Sequence, residues 1–312
     1  MMYSIGIDLG GTSAQVVAVK KDKILFQTSI LVRDNSSLQY ILDDLSNCIE
    51  KFRIRRPEPL ASIGIAFPSI VDAPNNKILS QYVKYPDAVD FDLENWAKIK
   101  FGATLFLEND ARAALIGEYH LGFAKGYENS CVLTLGTGIG SAIMLDGKLL
   151  RGPNQLAGNL LGHTIIQYDG GKCNCNGIGC AESEGSGWWL NNKFHEINRG
   201  DLCGQGFKAL LEPENISLPV FQEMLAQLIK VYKTIMINAV HCYDPEIIIL
   251  GGGIAEGMNT YIPKFQEAIE QHCWISPGAI KIVKSSLGIY AGAIGAACLY
   301  LNMDNKAPSN AT

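Results

Sequence analysis

The sequence lacks a long apolar run and lacks an excess of basic charge. Apolar runs such as 247–250 are far too short to cross a bilayer, and no charged-then-apolar leader precedes Ser4. The formal net charge is −5, which is not the basic footprint of a nucleic-acid-binding protein. We therefore expect a cytoplasmic protein that binds neither membrane nor nucleic acid.

What the chain does have is the composition of an ordinary globular protein. Its 312 residues are 47% hydrophobic and 18% charged, and this length favours about two domains. Of the nine cysteines, only Cys173, Cys175 and Cys180 cluster. In a cytosolic chain such a cluster indicates a metal site before a disulfide.

Residues 8–12 read Asp-Leu-Gly-Gly-Thr directly after a strand-like apolar run. Gly10 and Gly11 allow a tight turn, so that backbone N–H groups and the Thr12 hydroxyl can face phosphate oxygens. Asp8 at the strand end can hold magnesium, usually through water. A plain hairpin turn is the alternative, and this stretch taken alone favours the plain turn.

The stretch recurs later in the chain. Residues 4–19 can be laid over residues 130–145, with Gly-Thr-Gly at 136–138 in place of Gly-Gly-Thr. Each copy is a strand, a glycine turn and a second strand, which indicates an internal duplication and two similar lobes. Two glycine turns that converge on one cleft suit a triphosphate. Only the first copy carries the acid, Asp8, because the second has Thr134.

Hydrophobic periodicity predicts further elements of an α/β protein. The expected helices span about 38–52, 91–101, 111–118, 219–241, 260–271 and 291–297. Strands are expected at 24–28, 62–66, 104–107, 148–151, 246–250 and 280–283. A third glycine turn at 251–253 either admits an adenosine moiety closely or is a plain loop. Residues after Asn302 have the composition of a frayed polar tail.

Glu108, Asn109 and Asp110 follow the strand predicted at 104–107 and precede a helix. Polar residues at the carboxyl end of such a strand point into the ligand crevice of an α/β sheet. Asp110 is therefore a candidate general base and Asn109 a candidate hydroxyl binder. Helix capping is an equally good interpretation, since Asn and Asp are preferred N-cap residues.

A second constellation combines one imidazole with three thiols. His163, Cys173, Cys175 and Cys180 lie within a short glycine-rich segment. A Cys3His set is typical of a closed, tetrahedral structural zinc site. We predict a zinc knuckle over residues 163–182.

The motifs together resemble the signature set of the ROK family, named for repressors, open reading frames and kinases. The resemblance is carried in order by residues 8–12, 108–110, 136–140, 162–163 with 173–182, 244–253 and 291–297. It implies the actin-like ATPase fold, with two lobes, ATP between glycine turns, a sugar deeper in the cleft and commonly a homodimer. We place an N-terminal lobe at 1–118, a C-terminal lobe at 119–289, and a helix at about 290–302 packing back on the first lobe.

The resemblance also implies roles for single residues. Asp110 would accept the proton of the attacking sugar hydroxyl, and structural zinc would shape the sugar pocket without attacking anything. The expected nucleotide and magnesium residues are Asp8, Gly10, Gly11, Thr12, Thr137, Gly138, Gly252 and Gly253. The expected sugar residues are Ser69, Asn109, Asp110, Asn159, His163 and Glu182, with His163 also ligating zinc.

The chain departs from the family pattern just before His163. Family kinases usually carry a glutamate three residues before this histidine, where this chain has Leu160 and one extra residue. Either the acceptor is lost, or a shifted loop lets Asn159 replace it. A smaller departure is Ser69, where the family often has glycine.

Two functional classes follow from the resemblance. The first is an ATP-dependent sugar kinase, with ATP, magnesium and zinc as cofactors. The second is a catalytically weak sugar-binding or regulatory protein. The family's repressors carry a DNA-reading helix-turn-helix before the glycine turn, and with seven residues before Asp8 we expect none here. Because Asp8 and Asp110 are both present, we favour the kinase.

Overall fold

The computed structural model describes residues 2–32 and 37–302, so the polar tail predicted after Asn302 lies outside the described residues. The chain forms two compact units. The first comprises Met1–Lys125 with Ile289–Thr312, and the second comprises Gly126–Gly288. The first division lies later than the expected residue 118, because the helix that starts at Asp110 ends only at Leu121.

The first unit contains seven strands and four α-helices among its described residues. The strands are β1 (Tyr3–Leu9), β2 (Ser13–Lys20), β3 (Lys23–Leu31), β4 (Leu60–Phe67), β5 (Val71–Asp72), β6 (Lys77–Ile78) and β7 (Thr104–Asn109). The helices are α1 (Leu38–Arg53), α2 (Leu93–Phe101), α3 (Asp110–Leu121) and, from the C-terminal part of the chain, α9 (Ala291–Cys298).

Five of these strands form one sheet in the order β3-β2-β1-β4-β7. The first three pair antiparallel as a meander, and β1, β4 and β7 pair parallel. The carboxyl ends of the three parallel strands therefore lie at one edge, where Asp8, Phe67 and Asn109 emerge. The short strands β5 and β6 form a separate antiparallel pair.

Helix α9 covers this sheet at unusually close range. A methyl group on Gly6 of β1 or on Gly64 of β4 would collide with backbone atoms of α9. Gly295 of α9 likewise leaves no room for a side chain against the backbone of α3 at Ala113. The small residues at 291–297 thus allow backbone-to-backbone packing, because no side chains separate the elements.

The second unit, which the structure describes throughout, contains five strands and five α-helices. The strands are β8 (Ser130–Leu135), β9 (Ile139–Leu145), β10 (Lys148–Leu149), β11 (Ile247–Gly251) and β12 (Lys281–Lys284). The helices are α4 (Ala181–Gly185), α5 (Gly187–Glu196), α6 (Phe207–Leu211), α7 (Pro219–Tyr243) and α8 (Ile262–His272).

The sheet of the second unit repeats the topology of the first. Its order is β10-β9-β8-β11-β12, with an antiparallel meander followed by parallel strands. The duplication predicted from residues 4–19 and 130–145 is confirmed. Each sheet has its own hydrophobic core, and the buried face of α7 supplies much of the second.

Several predicted elements differ in extent from those observed. Strand β7 continues through Asn109, so Glu108 and Asn109 belong to the strand and do not follow it. Strand β10 ends at Leu149 and does not reach 151, and at Gly152 the backbone takes a positive φ of 66°. Helix α2 begins at Leu93 and not at 91, because Asp92 accepts the Asn95 N–H and caps it.

Sequence periodicity missed helices α4, α5 and α6. Two of them have five residues each, which is too short for an amphipathic repeat to stand out. In the part of the chain that the structure describes, no helix combines the length and apolar character needed to cross a bilayer.

Candidate active site

The first glycine turn joins β1 to β2 and is fixed from two directions. The Gly10 N–H donates to the Ser13 carbonyl at 3.1 Å, and the hydroxyl of Tyr85 donates to the Gly10 carbonyl at 2.9 Å. Tyr85 is completely buried, whereas Thr12 is exposed. The turn therefore has a defined shape before any ligand binds, with the Thr12 hydroxyl open to solvent.

Asp8 lies half-buried near the end of β1, against the first turn of α9. This close approach requires a glycine at position 292, since any side chain there would meet the Asp8 carboxylate. Burial, reinforced by the charge of Asp110, raises the pKa of Asp8 to about 8. A bound divalent cation would favour the ionised form of these carboxyl groups. Asp8 together with Asp110 is therefore a suitable ligand set for magnesium.

Asp110 is the first residue of α3, and its carboxylate is held in place by local hydrogen bonds. Its Oδ1 accepts from the Ala111 N–H at 2.8 Å and from Asn109 Nδ2 at 2.8 Å. Burial raises the pKa of Asp110 to about 6, although these hydrogen bonds act in the opposite direction. A carboxylate that titrates close to neutrality and is fixed at a helix N-terminus has the properties of a general base.

Asn109 caps α3, which is one of the two roles that the sequence left open, and it also contacts Asp110. Its Oδ1 accepts from the Arg112 N–H at 3.2 Å, which makes it the N-cap of α3. Its Nδ2 donates to Asp110 and also to the Ser69 carbonyl at 3.1 Å. Asn109 therefore orients Asp110, and one lone pair of its Oδ1 is left to accept a further hydrogen bond.

The hydroxyl group of Ser69 forms hydrogen bonds within the protein, to Ser80. Its Oγ lies 2.5 Å from the Ser80 carbonyl and 2.6 Å from Ser80 Oγ. The departure from glycine at this position thus adds a link between residues 69 and 80. Through its carbonyl, Ser69 also supports Asn109 and indirectly Asp110.

In the second unit, the glycine turn at 136–138 is held by two groups that are distant in sequence. Glu182 is buried, and its Oε2 accepts from the Ile139 N–H at 2.9 Å. The Gly136 and Thr137 carbonyls accept from the first N–H groups of α5 at 2.9 and 2.8 Å. Glu182, which was expected to bind sugar, is therefore also a support for the turn that was expected to bind phosphate.

The second and third glycine turns meet beside one cavity of about 240 Å³. Gly252 has a positive φ of 86° and packs against the Leu135 carbonyl, which leaves Gly253 beside open space. Gly138 lies against the Glu182 carboxylate. The cavity is lined by Gly136, Thr137, Gly187, Asn191, Gly204, Gln205, Gly206, Phe207, Lys208, Gly253 and Ile254.

The four residues expected to bind zinc come together. The ligand atoms of His163, Cys173, Cys175 and Cys180 all lie within 4.8 Å of one another. Cys175 Sγ and Cys180 Sγ are 3.7 Å apart, and His163 Nδ1 lies 3.6 Å from Cys173 Sγ. Tetrahedral zinc with ordinary bond lengths requires about 3.8 Å between two sulfurs and about 3.6 Å between sulfur and nitrogen. The donor set and its spacing therefore fit zinc.

The knuckle is continuous with the support of the glycine turn. Cys180 is the N-cap residue of α4, and Glu182 lies in the first turn of that short helix. On the other side, Gly162 packs directly on the Ile139 carbonyl, so His163 is held next to β9. A metal that orders the knuckle would thus also order Glu182 and the turn it supports.

Asn159 lies in the loop that departs from the family pattern. It is only 6% exposed, and its Oδ1 is a buried acceptor without a hydrogen-bond partner among the described residues. The loop is fixed by Ser141, whose Oγ donates to the Gly158 carbonyl at 3.0 Å and accepts from the Leu161 N–H at 3.1 Å. Leu160 is half-buried. Asn159 is therefore a buried polar group with unused hydrogen-bonding capacity next to Leu160, and Gln155 Oε1 is another in the preceding residues.

Sequence reasoning missed several residues that lie beside the glycine turns of the two units. Tyr82 and Tyr85 lie on the first glycine turn, although nothing in the local sequence marks them. Asn191 and residues 204–208 line the cavity of the second unit. The repeated glycines at 204 and 206 are a weak signal of a tight loop, but they do not indicate which turn the loop approaches.

Comparison with known proteins agrees with this architecture. A glucokinase of Thermotoga maritima is 28% identical over 312 residues, covering 95% of this chain and 96% of that protein. A crystal structure of a ROK hexokinase from Thermus thermophilus matches with a TM-score of 0.82 and 27% identity, covering 97% of this chain and 100% of that one. A xylose repressor of Bacillus spizizenii is 26% identical and covers 94% of this chain and 75% of the repressor.

The repeated sheets, each with glycine turns at the ends of its first strands, define an actin-like ATPase fold. The ROK family model matches residues 4–303. The chain belongs to the ROK family.

Proposed function

We propose that this protein is an ATP-dependent kinase that phosphorylates a hydroxyl group of a hexose or hexose derivative. The observation that carries the proposal is the placement of Asp110. Its carboxylate is fixed by Asn109 and Ala111 at the start of α3, and its pKa is raised to about 6. Such a group can take a proton from an attacking hydroxyl at neutral pH.

In the proposed reaction, the first unit contributes the chemistry. Asp110 removes the proton of the sugar hydroxyl as that oxygen attacks the γ-phosphorus, and the bond from this phosphorus to the bridging oxygen breaks so that ADP leaves with the electron pair. Asn109 keeps Asp110 in position. Asp8 would hold magnesium, which when bound would neutralise charge on the phosphates. Gly10, Gly11 and Thr12 supply backbone and hydroxyl donors to phosphate oxygens.

The second unit contributes nucleotide and sugar contacts. The cavity beside Thr137 and Gly253 has the open backbone that a nucleotide needs for close approach, and Gly138 and Gly252 shape its turns. Lys208 on its wall offers positive charge for phosphate. His163, Asn159 and Glu182 are proposed as sugar ligands on the second unit.

Zinc at the Cys3His site has a structural role in this proposal. The four protein ligands close the coordination sphere, so no position is left for substrate or water. The metal then fixes His163 and, through α4, Glu182. A homodimer, as the family resemblance implies, stays a prediction.

A second candidate is a sugar-binding protein with weak or no turnover. The similarity to a xylose repressor across 94% of this chain is the observation that supports this second candidate. The presence of both Asp8 and Asp110 favours the kinase, because a protein that only binds sugar needs neither a base nor a magnesium ligand.

One experiment separates these functions. The purified chain is incubated with magnesium-ATP and a panel of hexoses, amino sugars and N-acetyl sugars, while ADP release and sugar binding are both followed. Sugar-dependent ADP release supports the kinase. Sugar binding without ADP release, for every sugar that binds, would support the second candidate and overturn the first.

A further inference from the structure

Residues 82–85 form a tight turn that lies on the first glycine turn. Tyr82 and Tyr85 pair across it, and the Tyr85 N–H donates to the Tyr82 carbonyl at 3.0 Å. The hydroxyl of the buried Tyr85 donates to the Gly10 carbonyl at 2.9 Å. This anchor holds the neighbouring side chain of Tyr82 at a fixed place over the site.

The hydroxyl of Tyr82 lies against Gly11. A Cβ atom on Gly11 would come within 2.7 Å of Tyr82 Oη, which is closer than such atoms normally approach. Gly11 is therefore needed for close approach of the tyrosine hydroxyl, in addition to any role in approaching phosphate. The ring is oriented by Phe67, edge-to-face at 6.2 Å, and by Tyr85 at 5.9 Å.

Tyr82 shares its surroundings with both carboxylates of the site. Phe67, which packs on its ring, is the last residue of β4 and pairs with Asn109, the residue before Asp110. Burial raises the pKa of the Tyr82 hydroxyl, and the charges of Asp110 and Asp8 act in the same direction. The phenol therefore stays protonated at neutral pH and can donate a hydrogen bond.

We propose that Tyr82 is a further catalytic residue, whose hydroxyl donates a hydrogen bond to an oxygen of the phosphoryl group during transfer. The proposal rests on the proposed kinase function. Negative charge on the equatorial oxygens must be stabilised in the transition state, and a preorganised neutral donor does so without adding a charge next to Asp110. The missing side chain at Gly11 leaves room for this donor, and the packing of its ring against Phe67 and Tyr85 holds it in place.

The test compares Tyr82→Phe with the unchanged chain. The variant keeps the ring and its contacts with Phe67 and Tyr85 and loses only the O–H. We expect kcat to fall about 10- to 100-fold, the cost of one hydrogen bond to a charged group, while the KM values for sugar and ATP change little. Tyr40→Phe, on the exposed face of α1, is the matched control and should leave every parameter unchanged.

The binding of a transition-state mimic distinguishes a catalytic role of Tyr82 from a purely structural one. Magnesium-ADP with aluminium fluoride and sugar imitates the group in transfer. Tyr82→Phe should weaken its binding by the same factor as kcat and leave the binding of magnesium-ADP alone unchanged. Equal weakening of both ligands, or a lower melting temperature that accounts for the lost activity, would show that Tyr82 only supports the fold and would overturn the proposal.

Gly11→Ala gives an independent approach to the same hydroxyl, because the added methyl group displaces Tyr82 Oη. If both changes act through this hydroxyl, the double variant should be no slower than the slower single variant. An active parent with an equally active Tyr82→Phe variant overturns the Tyr82 assignment alone, whereas a parent without sugar-dependent ADP release removes the kinase function and this proposal with it.

Discussion

The two units have the same sheet topology but different chemistry at the ends of equivalent strands. In the first unit, Asp8 is the residue before the last of β1, and α3 begins with Asp110 where the parallel strand β7 ends. In the second unit, the residue corresponding to Asp8 is Thr134, and β8 and β11 end in glycine turns beside a cavity. One duplicated scaffold therefore carries reactive carboxylates in one copy and open backbone in the other.

The difference shows that a sheet edge provides a position and not a function. The carboxylates of the first unit are half-buried and have raised pKa values, which suits proton transfer and cation binding. The second unit has no carboxylate at the corresponding strand end. Its glycine turn at 136–138 is supported by Glu182, which accepts a hydrogen bond from the Ile139 N–H. The following predictions test whether the two units have these different roles, in order of decreasing expected effect.

The strongest test removes the base from the first unit. Asp110→Asn keeps the shape of the side chain but cannot accept the proton, so we expect kcat to fall by about 10²–10⁴-fold with sugar binding retained. Steady-state kinetics and sugar titration measure the two effects. Asp92→Asn is the matched control, because asparagine also caps α2. Wild-type turnover by Asp110→Asn would leave Asp110 with only a structural role.

The next test removes the metal from the second unit. The purified chain should contain one zinc, and Cys175→Ser should lose it together with most activity, because a structural site contributes its binding energy to folding. Each kcal/mol lost should lower the melting temperature by about 2–4 °C. Elemental analysis and thermal unfolding provide the measurements. Cys242→Ser, at an exposed cysteine outside the cluster, should retain zinc. An unstripped preparation without zinc would contradict the assignment.

The pH dependence of the activity should reflect the titration of Asp110 in the first unit. Asp110 is active as the carboxylate, so protonation below its pKa of about 6 should remove activity. We expect kcat/KM for the sugar to fall about tenfold per pH unit below this value and to level off above it. The profile is measured at saturating magnesium-ATP, with Asp110→Asn as the comparison. An acid limb of the same position in that variant would assign the titration to another group.

A smaller effect is expected from filling the cavity of the second unit. A Cβ atom on Gly253 would meet no other atom within 4 Å, and the backbone there has no positive φ, so Gly253→Val adds volume without strain. The KM for ATP should rise about tenfold, a loss of about 1.4 kcal/mol, with the melting temperature unchanged. Isothermal titration with a non-hydrolysable ATP analogue checks the affinity. Unchanged affinity would place the nucleotide outside this cavity.

The smallest effect concerns the departure from the family pattern. Asn159→Ala removes the buried acceptor and should raise the KM for the sugar about 3- to 10-fold, while the KM for ATP stays nearly constant. Ser141→Ala is a useful companion, because it loosens the same loop without removing that acceptor. No change in either KM for Asn159→Ala would place Asn159 outside the sugar pocket. The hydrogen-bond acceptor that family kinases have at the position of Leu160 would then be absent from this chain.

The sequence by itself determined the features that depend on local patterns. The glycine turns, the duplication and the zinc ligands were all readable, because glycine content, strand periodicity and cysteine spacing act over a few residues. The four zinc ligands lie within 18 positions of one another and converge as their spacing predicted. The place of Asp110 at the junction of a strand and a helix was also readable, because it is a local property, although the local sequence left open whether it is a base or a helix cap.

Only the tertiary structure decided which distant groups meet. Tyr85 reaches the Gly10 carbonyl across 75 positions, and Glu182 reaches the Ile139 N–H across 43. Helix α9 returns from the end of the chain to lie against Asp8. These contacts follow from the packing of whole elements, in which a side chain takes the partner that close packing and buried hydrogen bonds provide. A single sequence carries no periodicity that records such pairs, and for this reason Tyr82 became visible only in the folded chain.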